Sequence, residues 1–343
     1  MSKPRVVCVG GGLGTPLVVQ GLRARDCEIT ALIAVTDSGR STGKIRIALD
    51  VPAPGDIRNA LTVLAEGDPT LVRLMNHRFA TERSEDLDGM AFGNLFLAAL
   101  TQQEGSFLRA VEEASRLLKL SGRVLPVTLY NTHLCAELAD GTTVEGEVSV
   151  RLPGKPPIRR LFLSDANVEP VEGAVEAIEA ADLIVLGPGS LYTTICACLL
   201  VKRLARAIAG SDGLVVYVAN TTRHPGQTDA LGLADHVSEV LRYLGASAGG
   251  GVAGLDVALV NDDPPPEQLR EHYASKGLVY LEPTDVELER IRALGVEPVL
   301  AQVIDKWSPP RELWQKLDTI RHHPARVADA LLRLYAERRM VVP

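Results

Sequence analysis

The alternation of short apolar runs with longer amphipathic stretches is the feature that most constrains the fold of this chain. The runs are nearly continuous and rich in β-branched residues, which is typical of strands covered on both faces. Helix-like segments follow most of them, so the sequence predicts an α/β fold with a doubly wound, mostly parallel, Rossmann-like sheet. The predicted strands are RVVCVG (5–10), ITALIAVTD (29–37), DLIVLG (182–187), LVVYVAN (214–220) and LDVALVN (255–261).

Two regions depart from this alternation. Residues from about 55 to 120 are predicted to be wholly helical, and residues from about 122 to 164 a small antiparallel β insertion. Within the second region, Asp140-Gly141 lies between two alternating runs, which is a hairpin signal. Because neither region carries a linker, we expect a single α/β domain over residues 1–343 with these two insertions. The glycine-rich stretch 245–254 is predicted to be a mobile loop.

Composition and charge exclude several classes of protein. Hydrophobic residues make up 46% of the 343 residues, enough for a sizeable core, but no eighteen-residue apolar run lacks charge or glycine. We therefore expect no membrane span and, since MSKPRVVCVGGG lacks a signal-peptide core, a cytoplasmic protein. A net charge of −7 without a basic tract argues against nucleic acid as a partner. The five cysteines form no CxxC pair and are expected to be reduced thiols.

A glycine-rich loop, Gly10-Gly11-Gly12-Leu13-Gly14-Thr15, follows the first predicted strand. Glycines at such a turn let backbone N–H groups approach an anion, and the following helix start adds favourable partial charge. The dinucleotide fingerprint GxGxxG fits only in part, because its third glycine is replaced by Thr15. The alternative is a tight turn without a ligand. The candidate ligand-binding residues here are Gly11, Gly12, Gly14 and Thr15.

A second glycine-rich loop repeats this arrangement after the strand DLIVLG. It reads Gly187-Pro188-Gly189-Ser190 and opens a predicted helix of residues 190–209, with Ser190 as the candidate cap. Two such loops in one parallel sheet indicate two phosphate sites, or one diphosphate held between the halves of the sheet. The candidates are Gly187, Gly189, Ser190, Tyr192 and Thr193.

The segment 36–44 after the second strand carries charges and hydroxyls. Asp37 could hold a ribose, a metal ion or a reacting hydroxyl, while Arg40 and Lys44 could pair with phosphate. An Asp followed by an Arg here also suits an NADP site, and a solvated turn remains the alternative. The candidates are Asp37, Ser38, Arg40, Ser41 and Thr42, with Asp37 also the candidate metal ligand.

Polar residues at one helix start and within another helix are more ambiguous. Pro54-Gly55-Asp56 is an ordinary helix start in which Asp56 would be the cap. Asn94, within an apolar helix, is either a satisfied core amide or a ligand contact. These residues become ligand-binding candidates only if the fold brings them to the strand ends. The candidates are Asp56, Arg58, Asn59 and Asn94.

The strand LVVYVAN is followed by a polar segment, NTTRHPGQT, at residues 220–228. Its position at a strand's carboxyl end makes it a ligand-binding candidate. His236 follows in the next helix and could be an acid or base, but lone histidines are more often structural. No GxSxG elbow and no HExxH pattern occurs, which argues against a serine hydrolase and a metal cage built by the protein alone. The candidates are Asn220, Thr222, Gln227 and Thr228.

Taken together, these motifs resemble one superfamily, which contains the 2-phospho-L-lactate transferases and the gluconeogenesis factors (CofD-like and YvcK-like proteins). GGGLGTPLVVQGL, VTDSGRSTGKIR, PAPGDIRNAL, GMAFGNLFLAAL, GRVLPVTL, ADLIVLGPGSLYTT, NTTRHPGQTDALGLADHV and TIRHHPARVADAL occur in the family order over nearly the whole chain. The motif set is closer to the gluconeogenesis factors. That resemblance implies binding of a UDP-sugar such as UDP-N-acetylglucosamine and a regulatory role in carbon metabolism and cell-wall synthesis.

The resemblance also implies two further ligand-binding residues. Tyr273 and Arg321 match family positions implicated in UDP-sugar binding, where an aromatic ring could stack and an arginine could bind diphosphate. Core packing for Tyr273 and an exposed helix charge for Arg321 are the alternatives. The transferase branch implies a different activity, in which a guanosine diphosphate donor passes a phosphoryl-linked group to a deazaflavin with magnesium. In that case Asp37 and Asp56 would be the catalytic residues.

The segment 36–44, which follows the second predicted strand, departs from the gluconeogenesis-factor pattern. Ser38 stands where that pattern has an acidic residue, and Arg40 where it has a glycine. Loss of a carboxylate weakens a two-acid magnesium site, and an added arginine favours another anion. An NADP-dependent oxidoreductase is disfavoured by Thr15 and by the extent of the resemblance. A homodimer is compatible with such a chain, but no residue pattern demands it.

Overall fold

A seven-stranded parallel sheet forms the centre of the protein, in a computed structural model that describes residues 3–248, 254–306 and 318–341. The strand order is β10-β9-β8-β7-β1-β2-β3. The strands are β1 (Arg5–Gly10), β2 (Glu28–Ile33), β3 (Arg123–Pro126), β7 (Leu183–Leu186), β8 (Leu214–Val218), β9 (Val257–Asn261) and β10 (Glu297–Ala301). This confirms the predicted α/β class, and the central strands are buried on both faces because helices cover them.

Strand β1 lies between β2 and β7, so the chain leaves β1 towards one edge and later returns to its other side. Such a reversal of strand order is a topological switch point, and it opens a crevice at the carboxyl ends of the two strands. The two glycine-rich loops follow β1 and β7 and therefore meet at this crevice.

Fourteen α-helices are described. Between β2 and β3 every regular element is a helix, but residues 77–91 are not helical, so the prediction of a wholly helical region is confirmed only in part. Most of the remaining helices connect strands of the main sheet. They are α1 (Gly14–Arg23), α2 (Arg40–Leu49), α3 (Pro54–Leu64), α4 (Pro69–Asn76), α5 (Phe92–Glu104), α6 (Phe107–Leu118), α7 (Glu147–Arg151), α8 (Ala174–Glu179), α9 (Ala197–Leu199), α10 (Lys202–Ala209), α11 (Leu233–Ala248), α12 (Glu267–Ala274), α13 (Asp285–Ala293) and α14 (Pro324–Val341).

A three-stranded antiparallel sheet, in the order β5-β4-β6, forms the β insertion. Its strands are β4 (Leu134–Leu138), β5 (Thr143–Glu145) and β6 (Ile158–Leu163). Asp140-Gly141 makes the predicted hairpin turn, with Gly141 at a φ of +86°. The antiparallel part begins later than predicted, because β3 pairs in parallel with β2 in the main sheet.

The helix predicted over residues 190–209 is interrupted. Leu191–Cys196 form a π-helical turn, α9 follows, and α10 begins at Lys202 after Val201 adopts an extended conformation. Ser190 is the cap of the first turn, as predicted. The polar segment 190–194 thus has its own geometry at the end of β7, while α10 packs separately against the sheet.

All five cysteines are free thiols, and four of them are buried. No helix within the described ranges is long and apolar enough to cross a membrane. Part of the glycine-rich stretch predicted as a mobile loop, residues 249–253, lies outside the described residues.

Candidate functional site

A cleft of about 380 Å³ lies at the switch point of the main sheet. It is bordered by the loops that follow β1, β7 and β8, by residues of the β insertion and by the segment 318–322. Its volume falls within the range of about 300–1,000 Å³ that is usual for small-molecule sites. Nine of the predicted ligand-binding residues line it: Gly12, Gly14, Gly189, Ser190, Thr193, Asn220, Thr222, Gln227 and Arg321.

The floor of the cleft depends on close contact between the two glycine-rich loops. A Cβ atom added to Gly14 would lie 2.2 Å from the carbonyl oxygen of Pro188, so a side chain there would collide with backbone. Thr15 is fully buried beneath the same contact, and Gly187 packs against Ile195. Glycine is required at position 14 because it lets one loop approach the other, so that both line the same cleft.

Hydroxyl and amide groups after β7 and β8 are held by one another. Ser190 accepts a hydrogen bond from the backbone N–H of Thr193 (3.4 Å) and donates to Gln227 Oε1 (2.6 Å). Asn220 donates from Nδ2 to the carbonyl oxygen of Gly189 at 2.7 Å. Thr228 does not line the cleft, but its hydroxyl accepts from the N–H of His224 and so holds the loop. Tyr192 is likewise buried behind the lining.

Arg321 is brought to the cleft by the segment that precedes α14. The N–H of Asp305 donates to the carbonyl oxygen of Arg321 (2.8 Å), and His322 forms an isolated antiparallel bridge with Ile304. The hydroxyl of Thr221 donates to the carbonyl oxygen of Ile320 at 2.6 Å. These bonds fix the backbone on both sides of Arg321, so it lines a cleft and is not an exposed helix charge.

Tyr273 lies behind this segment and does not line the cleft. Its ring is buried with Leu278, Ile304 and Ile320, and its hydroxyl donates to Asp318 Oδ2 at 3.0 Å. Asp318 does line the cleft. An influence of Tyr273 on a ligand would therefore be transmitted through Asp318, while the predicted stacking of the ring on a ligand has no counterpart in this geometry.

The remaining candidates form a second polar group beside the cleft, near the carboxyl end of β2. The backbone N–H of Gly39 donates to Asp37 Oδ1 at 2.8 Å, and Asn94 Nδ2 donates to the hydroxyl of Ser41 at 3.1 Å. The side chain of Arg40 lies outside the described part of the structure. Ser38 connects this group to the cleft, because its hydroxyl accepts from the N–H of Val148. Members of the group are Asp37, Ser38, Ser41, Thr42, Arg58, Asn59 and Asn94.

The expectation that Asp56 caps its helix is wrong. Helix α3 begins at Pro54 after Ala53, so Asp56 lies within the first turn. Its carboxylate instead accepts a hydrogen bond from the backbone N–H of Gly12 at 2.6 Å, and a Cβ on Gly11 would lie 2.6 Å from the same oxygen. Asp56 thereby joins the polar group near β2 to the first glycine-rich loop.

Arg58 is buried in this polar group. It donates to the carbonyl oxygen of Met75 and to Oδ1 of Asn76 and Asn59. Burial, reinforced by the positive charge of Arg78, lowers the pKa of Arg58 to about 10, so it remains a cation at neutral pH. Its Nε and the buried Oδ1 of Asn94 have no hydrogen-bond partner among the described residues.

Two histidines that sequence reasoning did not select, His224 and His322, line the cleft. Burial lowers the pKa of each to about 4. Both rings are therefore neutral at pH 7 and can exchange hydrogen bonds with a ligand without adding charge. Their sequence signal is only that each follows an arginine in a polar segment, which does not distinguish a cleft residue from a surface one.

The β insertion supplies residues that sequence reasoning also missed: Glu147, Val148, Arg151, Leu152 and Pro153. Their side of the cleft is mixed in character, with an ion pair beside apolar side chains. No motif marks this stretch, because its contribution depends on how the small sheet packs across the ends of the main one.

The described residues contain no group of three or more His, Cys, Asp or Glu side chains that could hold a metal ion. Magnesium is commonly bound by one or two carboxylates together with ligand phosphates and water. Asp37 and Asp56 both lie near Arg58 and are carboxylates of the kind that such a ligand-dependent ion uses.

Comparison with known proteins gives consistent results. The family model described as 2-phospho-L-lactate transferase CofD matches residues 6–304. The gluconeogenesis factor of Bacillus subtilis (strain 168) is 35% identical over 336 residues, covering 98% of this chain and 99% of that protein. The Listeria monocytogenes gluconeogenesis factor is 39% identical over 335 residues, covering 97% and 96%. A crystal structure of a UPF0052-family protein from Bacillus halodurans superposes with a TM-score of 0.86 at 35% identity, covering 97% and 100%.

Proposed function

We propose that this chain, which belongs to the CofD family and is related throughout to gluconeogenesis factors, is a regulatory protein that binds a UDP-sugar such as UDP-N-acetylglucosamine. In this role the bound nucleotide sugar reports on carbon metabolism and on supply for the cell wall, and the protein need not turn it over. The function follows the relatives named gluconeogenesis factor. The UDP-sugar is the ligand that the resemblance implies, and the residues of the cleft support its diphosphate part.

The observation that carries the ligand assignment is the position of Arg321 opposite two glycine-rich loops in one cleft. Backbone N–H groups of such loops and a guanidinium are the groups that bind diphosphate most effectively. Asn220, Thr193 and Gln227 add hydroxyl and amide groups of the kind that bind ribose and sugar hydroxyls. The apolar side of the cleft, with Leu13 and Leu152, suits the face of a base.

A transferase activity is the second candidate, and the contact between Asp56 and Gly12 favours it. This contact holds a carboxylate at the edge of the cleft, with Asp37 in the neighbouring polar group. In the transferases that the chain resembles, a guanosine diphosphate donor and magnesium act on a deazaflavin. Asp37 and Asp56 would then hold magnesium or the acceptor hydroxyl, and catalysis would consist of positioning and charge neutralisation.

The deciding experiment is isothermal titration of the full chain with UDP-N-acetylglucosamine and with GDP, each with and without magnesium. Arg321→Ala is compared with Arg333→Ala, a matched control on the exposed side of α14. Magnesium-independent binding of the UDP-sugar that is lost only in Arg321→Ala supports the regulatory protein. Magnesium-dependent preference for GDP, unchanged in Arg321→Ala, rejects it in favour of the transferase.

A further inference from the structure

Helix α7 and the residues after it form one wall of the cleft, and this wall is attached to the main sheet on two sides. The N–H of Val148 donates to the hydroxyl of Ser38 at 3.2 Å. On the other side, Lys155 donates to the carbonyl oxygen of Gly226, and a Cβ on Gly226 would lie 2.4 Å from the carbonyl oxygen of Leu152. The side chains of α7 are therefore held at the cleft by contacts that do not involve a ligand.

Two charged residues on this wall, one helical turn apart, face each other. Arg151 Nε lies 3.6 Å from Glu147 Oε1, and the Glu147 side chain is only 7% exposed. This distance is longer than the roughly 2.7–2.9 Å of a charge-assisted hydrogen bond. Both residues line the cleft. A buried carboxylate interacts with other charges more strongly than a solvated one, because less water screens it.

We propose that this pair makes the cleft selective for a nucleoside diphosphate whose terminal phosphate is esterified, as in a nucleotide sugar, over the free nucleoside diphosphate. Arg151 attracts the diphosphate of either ligand. Glu147 repels the additional charge of a free terminal phosphate, which loses its second proton near pH 6 by analogy with other phosphate monoesters. An esterified phosphate lacks that charge, and its sugar hydroxyls can donate to the carboxylate.

This inference rests on the proposed function, which supplies the ligand class, but it concerns a different set of residues. The polar floor and Arg321 account for binding of a diphosphate in general. They do not explain what Glu147, the partner of Arg151, would do beside a bound anion. A repulsive group that discriminates between related ligands explains it, because specificity is a difference of affinities and is often built from an unfavourable contact with the wrong ligand.

The test is titration of the full chain with UDP and with UDP-N-acetylglucosamine, in the unaltered protein and in Glu147→Gln, Arg151→Gln and Glu145→Gln. Glu145 is an exposed carboxylate at the end of β5 and does not line the cleft, so it is the matched control. We expect Glu147→Gln to lower the ratio of the Kd for UDP to that for the UDP-sugar by about tenfold. Arg151→Gln should weaken both ligands, and Glu145→Gln should leave the ratio unchanged.

An unchanged ratio in a folded Glu147→Gln protein overturns the inference while leaving UDP-sugar binding as the function. Absence of binding of either ligand by the unaltered protein rejects both. If Glu147→Gln does not fold, the salt dependence of the ratio in the unaltered protein decides. If the ratio of the Kd for UDP to the Kd for the UDP-sugar falls as the salt concentration rises, the discrimination comes from repulsion between charges. A ratio that does not depend on salt contradicts the inference.

Discussion

The hydroxyl of Tyr273 donates a hydrogen bond to Oδ2 of Asp318 at 3.0 Å, from a ring that is itself 2% exposed. Asp318 lies three residues before Arg321, and both line the cleft. A tyrosine that does not line the cleft can in this way help to determine where Arg321 lies. Stacking on a ligand and positioning of the segment 318–322 are therefore two separate roles that Tyr273 could have, and a hydroxyl-deleting substitution distinguishes them.

Tyr273→Phe should weaken binding of the UDP-sugar by about threefold to tenfold, because a buried hydrogen bond contributes about 0.5–1.5 kcal/mol and its loss loosens the segment. Tyr273→Ala should also lower the melting temperature, since it leaves a cavity beside Ile304 and Ile320. Titration and thermal unfolding of both variants separate the two effects. If the ring stacked on the ligand instead, Tyr273→Phe would bind as well as the unaltered protein.

The local signals in the sequence predicted the glycine-rich loops and the strands that precede them, because each depends only on neighbouring residues. Ser190 as a cap and Asp140-Gly141 as a hairpin turn were predicted for the same reason, and both are confirmed. The role of Asp56 was not predicted from the sequence. Its partner Gly12 is 44 residues away, and only the packing of α3 against the first glycine-rich loop brings the two together.

The wall contributed by the β insertion escaped prediction for a related reason. Glu147 and Arg151 have the spacing of an ordinary ion pair on a helix surface, and most such pairs face solvent. The burial of Glu147 and the position of both residues at the cleft depend on how the small sheet packs across the ends of the large one. Sequence patterns report which face of an element is apolar, but not which distant element will cover it.

Gly14→Ala should abolish ligand binding and destabilise the fold. The added methyl group would lie 2.2 Å from the carbonyl oxygen of Pro188, so the two glycine-rich loops would have to move apart. Overpacking of this kind costs about 1–3 kcal/mol or more. Urea unfolding and ligand titration would measure both effects.

Gly245→Ala is the matched control for that substitution. Gly245 lies in α11, and an added Cβ would meet no atom within 4 Å. Alanine is favoured over glycine within a helix by about 1 kcal/mol, so this variant should be at least as stable as the unaltered protein and should bind the ligand normally. Equal losses in Gly14→Ala and Gly245→Ala would show that contact between the loops is not what position 14 requires.

Acid should destabilise the protein through His322. Burial lowers its pKa from 6.5 to about 4, while Nε2 donates to the carbonyl oxygen of Ala219 at 3.1 Å. Above pH 6.5 the ring is neutral in both states, so its contribution to stability is complete. Between pH 6.5 and 4 the unfolded chain takes up a proton that the folded chain does not, so stability falls, by about 3 kcal/mol at most for this one group.

The measurement is the free energy of unfolding in urea at several pH values for the unaltered protein and for His322→Gln, in which an amide can still donate to Ala219. The variant should lose less stability on acidification between pH 6.5 and 4, because one group that resists protonation has been removed. His224 also has a pKa lowered to about 4 by burial and should contribute in the same direction. Identical pH profiles for the two proteins would contradict the assignment to His322.

The contact between Asp56 and Gly12 allows the two candidate functions to be separated. Asp56→Asn keeps an oxygen that can accept from the N–H of Gly12 at the observed 2.6 Å, but it removes the negative charge. If the carboxylate serves only to hold the loop, Asp56→Asn should bind the UDP-sugar within about threefold of the unaltered protein. Asp56→Ala should weaken binding more strongly, because the N–H of Gly12 then loses its acceptor. If the carboxylate binds magnesium, Asp56→Asn should instead lose all magnesium-dependent binding of GDP, because a neutral amide is a far weaker ligand for a hard cation. Titration of both variants with each ligand, with and without magnesium, distinguishes these outcomes. For a regulatory UDP-sugar-binding protein, we expect Asp56→Asn to bind the UDP-sugar within about threefold of the unaltered protein.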